Sequence, residues 1–413
     1  MKHTFLSKWL ILGLWVIPLL LCAQDLRKEN GRYTSQAVKT FTVGSGGRLI
    51  LDGFSGDVKI SSGTQSNVEV RETLRMDVSS ESEAREMLER AQSSYSVSGQ
   101  TIRVDGRNSD RWVSRRIEIR VPRPFDLDIS ASDGDVEGQN LQGSLRLHTS
   151  NGDITLAAVA GEVRLQTSAG DLHLEDIDGP LEAATSAGDV KLRNAQGTVD
   201  LRTSGGDISA YNLLKDAILK TAGGDIYVEK AGGNLIANTS GGDIEARECS
   251  GETELRTSGG DIEVRGVGGS LQAQTSGGDV FGADLNGAVT ARTSGGDVEL
   301  QKVNGAVRAA TSAGDIEVEI TLQNFKMEQR INLQSSAGSI RLTIPEKLPA
   351  SISAEIVNAG GRWKRFDIYS DFPLTRQEEA GGGSLRMSGD INGGGGEIRL
   401  ETSNGDIHIL KGK

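Results

Sequence analysis

Between Ser130 and Ile316 the alternation of apolar and polar positions repeats every 18 residues without a slip. Each copy carries the phrase Thr-Ser-Gly-Gly-Asp-Ile or a close variant, and its aspartate is taken as position zero. At plus one the residue is always aliphatic, as in Ile154, Leu172, Val190, Ile208 and Ile226. At plus three it is again apolar or small, as in Leu156, Leu174, Val228, Ala210 and Gly282, and the residues between are mostly polar. This two-residue period predicts a strand with one buried face. A third apolar position follows at plus six (Val159, Ile177, Leu213, Cys249, Val267), then glycine at plus eight, with Lys215 as the one substitution. A second alternating strand begins two residues later, as in Val163-Arg164-Leu165-Gln166-Thr167.

Two short strands and two glycine-bearing bends per copy, at one fixed period, predict a stacked repeat architecture. The fold class expected is all-β: a single-chain, flattened parallel β-solenoid with 18-residue coils, each pairing with the next at ~4.8 Å. About ten such coils give a rod roughly 50 Å long. Many inward positions on the second strand are alanine (Ala183, Ala237, Ala273, Ala291, Ala309), so the core is expected to be thin and stabilised coil by coil.

The flanks divide the chain further. Residues 24–40 are polar and read as a flexible lead-in. Residues 41–129 alternate again, in Leu49-Ile50-Leu51 and Phe54-Ser55-Gly56-Asp57-Val58-Lys59-Ile60, and contain one helix, predicted over residues 80–92. Ser80 and Glu83 form a capping box there, and Ala84, Met87, Leu88 and Ala91 fall on one face. That helix is expected to cap the first coil. Residues 130–320 are the regular repeats. Residues 321–413 are irregular coils and a C-terminal cap: the copy at Ser335–Ile340 lacks the aspartate, Trp363, Phe366, Tyr369 and Phe372 gather the aromatics, and Thr402–Ile407 is a closing copy.

Composition agrees with narrow coils: 54 glycines in 413 residues and only 4% aromatics. Residues 1–23 read as a secretory signal, with Lys2 and Lys8, the apolar run Trp9–Leu21 and a cleavage site after Ala23. The apolar run is short for a retained membrane anchor, and lipidation at Cys22 is disfavoured by the bulk of Leu21. No later stretch is apolar enough to span a membrane as a helix. Removing the signal takes the formal charge from −12 to −14, which argues against nucleic acid as a partner. Cys249, the cysteine left after cleavage, is expected as a buried small apolar residue rather than a reactive thiol.

The motifs and their order resemble the bacterial "putative adhesin" family, a β-strand-repeat domain of unknown function found in exported and envelope proteins. The pieces that carry the resemblance are Leu49–Ile60, the Ile117–Pro124 strand, the Thr-Ser-Gly-Gly-Asp-Ile copies and Gly394–Ile407. It covers nearly all of the mature chain and implies a β-solenoid at the cell envelope, with no catalytic residues to carry over. The regular run here predicts a longer rod than is typical.

The aspartates Asp135, Asp153, Asp171, Asp189, Asp207, Asp225, Asp243, Asp261, Asp279, Asp297 and Asp315 are the first candidate site. At coil spacing, neighbouring carboxylates repel by ~0.9 kcal/mol in water, so something must offset the ladder. Hydrogen bonds from backbone amides at the bend are the expected answer. Ordered calcium is the competing one, but plus nine, where a β-roll would repeat its ligands, holds Glu162, Pro180, Thr198, Asp216, Asn234, Glu252, Ser270, Ala288 and Ala306. No cofactor is therefore expected. The threonines at the same bend share parity with inward leucines and are expected to line the interior corner, hydroxyl to hydroxyl.

An enzyme is not expected. The bends are short and alike, and His3, His148, His173 and His408 show no metal-ligand spacing. The outward rows predict one face that is polar to basic, with Arg202, Lys220, Arg256 and Arg292 as a candidate binding face, and another that is acidic, with Glu245, Glu263, Glu299 and Glu317. Ordinary solvation and solubility is the first reading of such rows, and an extended contact surface the second. The sequence thus predicts an exported, non-enzymatic, adhesin-like binding or structural module of the envelope, in periplasm, on the surface or in the medium. Its expected partner is an envelope polymer or envelope protein, and charge reversal at Arg202, Arg256 and Arg292 is the test of that face. An envelope-stress sensing domain and a polysaccharide-active β-helix enzyme are the alternatives.

Overall fold

Alternation with period two buries one face of each strand, and a coil of two such strands closes on itself only by turning both faces inward. A computed structural model describes residues 26–107, 112–322, 330–357, 366–378 and 383–412. The signal, Cys22 and Trp363 lie outside these. From Val136 to Ile320 every coil contributes one strand to each of two facing sheets. In the first sheet, strands such as Ile208–Leu213 and Ile226–Ala231 pair in parallel, Ile208 opposite Ile226. In the second sheet the partners are four-residue strands such as Val199–Arg202 and Ala217–Lys220, again 18 residues apart. Continuous parallel pairing in the first sheet runs from the strand at Ile117 to the one at Ile368, about 70 Å at ~4.8 Å per coil.

One local departure reconciles plus one, plus three and plus six. Strict alternation would bury plus five. Instead plus five takes left-handed backbone, as at Asn194 (φ 57), Asn212 (φ 57), Lys230 (φ 65) and Glu248 (φ 55), and plus six turns inward. Asparagine and aspartate tolerate this region better than most residues. The sequence shows the parity change but not the backbone that produces it.

The apolar interior is one cluster along the whole rod, from Phe41 to Ile409. Cys249 is inside it, and burial pushes its thiol up to about 11.

Both ends depart from chain order. At the N-terminal end, the coil Leu49–Ile60 sits between the coil of Ile102 and Ile117 and the coil of Leu127 and Val136. At the C-terminal end, the last strands of the chain, Gly396–Thr402 and Ile407–Gly412, sit between Ile331/Ile340 and Ile352/Ile368. The first coil in sequence, Leu49–Ile60, and the last strands of the chain are therefore threaded inside the rod, not laid on its ends. Antiparallel strands finish the sheets beyond these coils, among them Leu385–Ile391 paired with Thr375–Glu378.

The flexible lead-in expected over residues 24–40 is strand from Leu26 on. Leu26–Glu29 and Arg32–Phe41 are strands, and the second pairs with Val68–Met76 over nine residues. Tyr33 and Ser35 are buried by that pairing, a contact invisible to composition because the intervening residues are polar. The helix spans Glu81–Ala91, with Ser80 Oγ accepting the Glu83 N–H at 3.3 Å. Ala84, Met87, Leu88 and Ala91 pack on Tyr33, Leu74 and Met76. A buried ion pair fastens this region: Arg115 Nη2 donates to Glu72 Oε1 at 2.8 Å, while Ser93 and Tyr95 hydroxyls also donate to Glu72. Burial, then the Glu72 charge, pushes the Tyr95 phenol well above its usual range.

Candidate binding face

The rod presents two narrow edges and two broad faces. On the aspartate edge, Thr, Gly and Asp of one phrase act together on the coil before. Asp207 N–H donates to Asp189 Oδ1 at 2.8 Å. Thr203 Oγ1 donates to the Gly188 carbonyl at 2.8 Å and accepts the Gly206 N–H at 3.3 Å. A Cβ on Gly206 would lie 2.2 Å from the Gly188 carbonyl oxygen and 2.5 Å from Asp189 Oδ1, so only glycine allows this approach. Gly205, one residue earlier, has no atom nearer than 3.8 Å to its Cβ position. The buried threonine hydroxyls therefore bond main chain, not one another.

All eleven ladder aspartates accept an N–H from the next coil, Asp135 from Asp153 and so on to Asp315 from Ser339. Where the copy at Ser335–Ile340 lacks its aspartate, the Ser339 hydroxyl accepts from Asp406 N at 3.3 Å, and Asp406 accepts from Asp367 N at 2.9 Å. An arginine stands at each end of the row, Arg116 on Asp57 at 2.9 Å and Arg376 on Asp367 at 2.7 Å. Among the described residues no group of three or more His, Cys, Asp or Glu side chains is placed to hold a metal ion.

The four cations Arg202, Lys220, Arg256 and Arg292 project from the outer face of the second sheet. Arg202 pairs with Asp200 at 2.6 Å and Arg256 with Glu254, each two residues away on its own strand. Lys220 and Arg292 have no carboxylate partner among the described residues. This row is thus half neutralised, and Ile218 and Ile236 lie side by side beside it.

The outer face of the first sheet is not acidic. Plus four places Arg193, Arg247 and Arg265 next to the plus-two glutamates, a row that reading plus two alone misses. Arg247 pairs with Glu245, and Arg265 Nε with Glu263 at 2.7 Å. The same guanidiniums lie near rings: Arg193 is 5.2 Å from the Tyr211 centroid, Arg247 6.0 Å from Tyr227, and Arg265 4.5 Å from Phe281. Tyr211 and Tyr227 are 5.4 Å apart, and Tyr227 donates to Glu229 at 3.2 Å. Partial desolvation and then the Glu229 charge raise the Tyr227 phenol, which keeps it a donor. Toward the N-terminal end this face dips into a cavity of about 550 Å³ lined by charges of both signs, including Arg27, Arg75, Arg116, Glu29 and Glu118. No helix among the described residues is long and apolar enough to cross a membrane.

Several solved structures are similar to this chain, three of them as follows. A "putative cell adhesion protein" from Clostridium sporogenes is 8% identical over 92% of this chain and 100% of its own, with a TM-score of 0.20. A "putative adhesin" from Bacteroides fragilis is 14% identical over 75% and 96%, at 0.23. A "putative lipid binding protein" from Parabacteroides distasonis is 12% identical over 92% and 97%, at 0.18. At these identities and scores none of them bears on role. No curated protein matches the chain. The Toastrack DUF4097 family model matches residues 56–231, 212–320 and 234–410, so overlapping matches run through the regular coils and both order-swapped ends. The chain belongs to the Toastrack DUF4097 family.

Proposed function

We propose that this protein is an exported, non-enzymatic, adhesin-like module of the bacterial envelope, which binds an extended envelope component along its length. The observation that carries this reading is the uniformity of the rod. Coil after coil repeats the same short bends, so side chains are offered in straight rows along the coil axis rather than gathered round a cleft. Catalysis needs convergent groups held in one constellation, whereas rows at constant spacing suit contact with a long partner. The signal-like residues 1–23 and the family resemblance support export.

The test is co-sedimentation of residues 24–413 with peptidoglycan, outer-membrane vesicles and purified surface polysaccharide, with released sugar measured in the supernatant. Saturable retention by one fraction without release is expected. Sugar release would overturn the non-enzymatic reading. Absence of retention by all three would overturn envelope binding.

A further inference from the structure

Resting on that reading, we infer that the strip formed by Arg193, Tyr211, Tyr227, Arg247, Arg265 and Phe281 on the outer face of the first sheet binds an uncharged, extended glycan laid along the rod. The rings are the first reason. Equivalent outward positions in other coils hold Thr155, Lys191 and Ser209, so the fold makes no demand for an aromatic there. Tyr211, Tyr227 and Phe281 are nevertheless outward and half-buried, in a protein with 4% aromatics overall. Tyrosine is enriched at contact surfaces, where one ring offers both apolar area and a hydrogen-bonding tip.

Charge is the second reason. Tyr227, Glu245, Glu263 and Phe281 are neighbours in register along plus two. Arg193, Tyr211, Glu229, Arg247 and Arg265 are neighbours along plus four. The arginines at 247 and 265 are each matched by a glutamate of the same strand, so the middle of the strip attracts neither a polyanion nor a polycation. What remains is a set of fixed donors and acceptors beside apolar ring surface. A sugar offers the complement, hydroxyls round its rim and C–H groups on its faces. Geometry is the third reason. Successive coils advance ~4.8 Å, similar to the length of one sugar residue in an extended chain, and Tyr227 and Phe281 stand three coils apart, ~14 Å. A linear glycan parallel to the axis would meet equivalent groups repeatedly.

Affinity electrophoresis of residues 24–413 in gels containing soluble β-1,4-glucan, β-1,4-mannan or alginate tests this. Retardation by a neutral glycan is expected. The double variant Tyr211→Ala/Tyr227→Ala should weaken it at least tenfold, and Phe281→Ala by a lesser factor. Tyr227→Phe should retain most of the binding, because the ring stays. Arg202→Ala/Arg256→Ala on the opposite face should leave it unchanged. Thermal unfolding of each variant separates lost binding from lost fold. Retardation by alginate alone, by none of the three glycans, or undiminished in a folded Tyr211→Ala/Tyr227→Ala variant would overturn the glycan strip. Retention of the wild type by an envelope fraction would still stand in those cases, so failure here is distinct from failure of the proposed function.

Discussion

At the scale of single residues the repeat phrase is an inter-coil fastening in which each member has one task. Threonine closes the bend from inside, glycine removes the Cβ that would strike the preceding carbonyl, and aspartate accepts an amide from the coil that follows. The two glycines of the phrase are not equivalent. Gly206→Ala should destabilise by ~1–3 kcal/mol, because backbone on both sides has to move. Gly205→Ala should change stability by less than ~0.5 kcal/mol, as alanine already occupies that position at Ala187 and Ala313. Urea unfolding of the two variants checks the contrast, and equal costs would contradict the close-approach argument. The aspartate, glycine and threonine positions were legible in the sequence because each recurs at a fixed register. The direction of their hydrogen bonds was not. Register says which residues stack, but the choice of main chain over a neighbouring hydroxyl for threonine depends on the depth of the bend.

Burial of titratable side chains adds a pH dependence at the same scale. The Cys249 thiol is raised from 9.0 to about 11, and the Tyr95 phenol is raised from 10.0. Below pH 9 both groups are protonated whether the chain is folded or not, and they give no pH dependence. Above pH 9 the unfolded chain releases protons that the folded one holds, so stability falls as pH rises. The thiol alone should cost ~2 kcal/mol by pH 10.5. Unfolding midpoints from pH 7 to 10.5 should show this decline, reduced in Cys249→Ala and further reduced in Cys249→Ala/Tyr95→Phe. An unchanged slope in the double variant would exclude these groups as its source.

At the scale of elements, the ends of the rod hold most of what the sequence concealed. Alternation identified the strands at Leu49–Ile60 and Thr402–Ile407, but periodicity carries no information on which coil lies beside which once the period breaks. The order swap follows from pairing between residues far apart in sequence, such as Ile340 with Ile407. The polar hairpin from Leu26 to Phe41 was missed for a related reason: its strand is fixed by nine pairings with Val68–Met76, not by its own hydrophobicity. The Glu72–Arg115 pair is the polar fastening of this end and joins that strand, Val113–Pro122 and the segment after the helix. Glu72→Gln would leave a buried guanidinium without its counter-charge and should cost ~3–5 kcal/mol. Loss of stability measured by denaturant should be accompanied by early exchange of amides in Ser94–Ser98. A neutral effect would show that the pair contributes no net stability.

At the scale of the whole molecule, a uniform rod converts sequence repetition into surface repetition. The two faces share one construction and differ in what the outward rows carry. The second-sheet cations were legible as a row, whereas their neutralisation by Asp200 and Glu254 needed the side-chain geometry. The first-sheet strip was half legible: the plus-two glutamates stood out as a row, but the plus-four arginines beside them did not. The proposal that decides how the rod works is recognition by its first-sheet face. Its most direct test is to repeat the envelope co-sedimentation with Tyr211→Ala/Tyr227→Ala beside Arg202→Ala/Arg256→Ala, both confirmed folded. Retention should fall at least tenfold in the tyrosine variant and stay at the wild-type level in the arginine variant. Loss confined to the arginine variant would contradict it and move recognition to the second sheet.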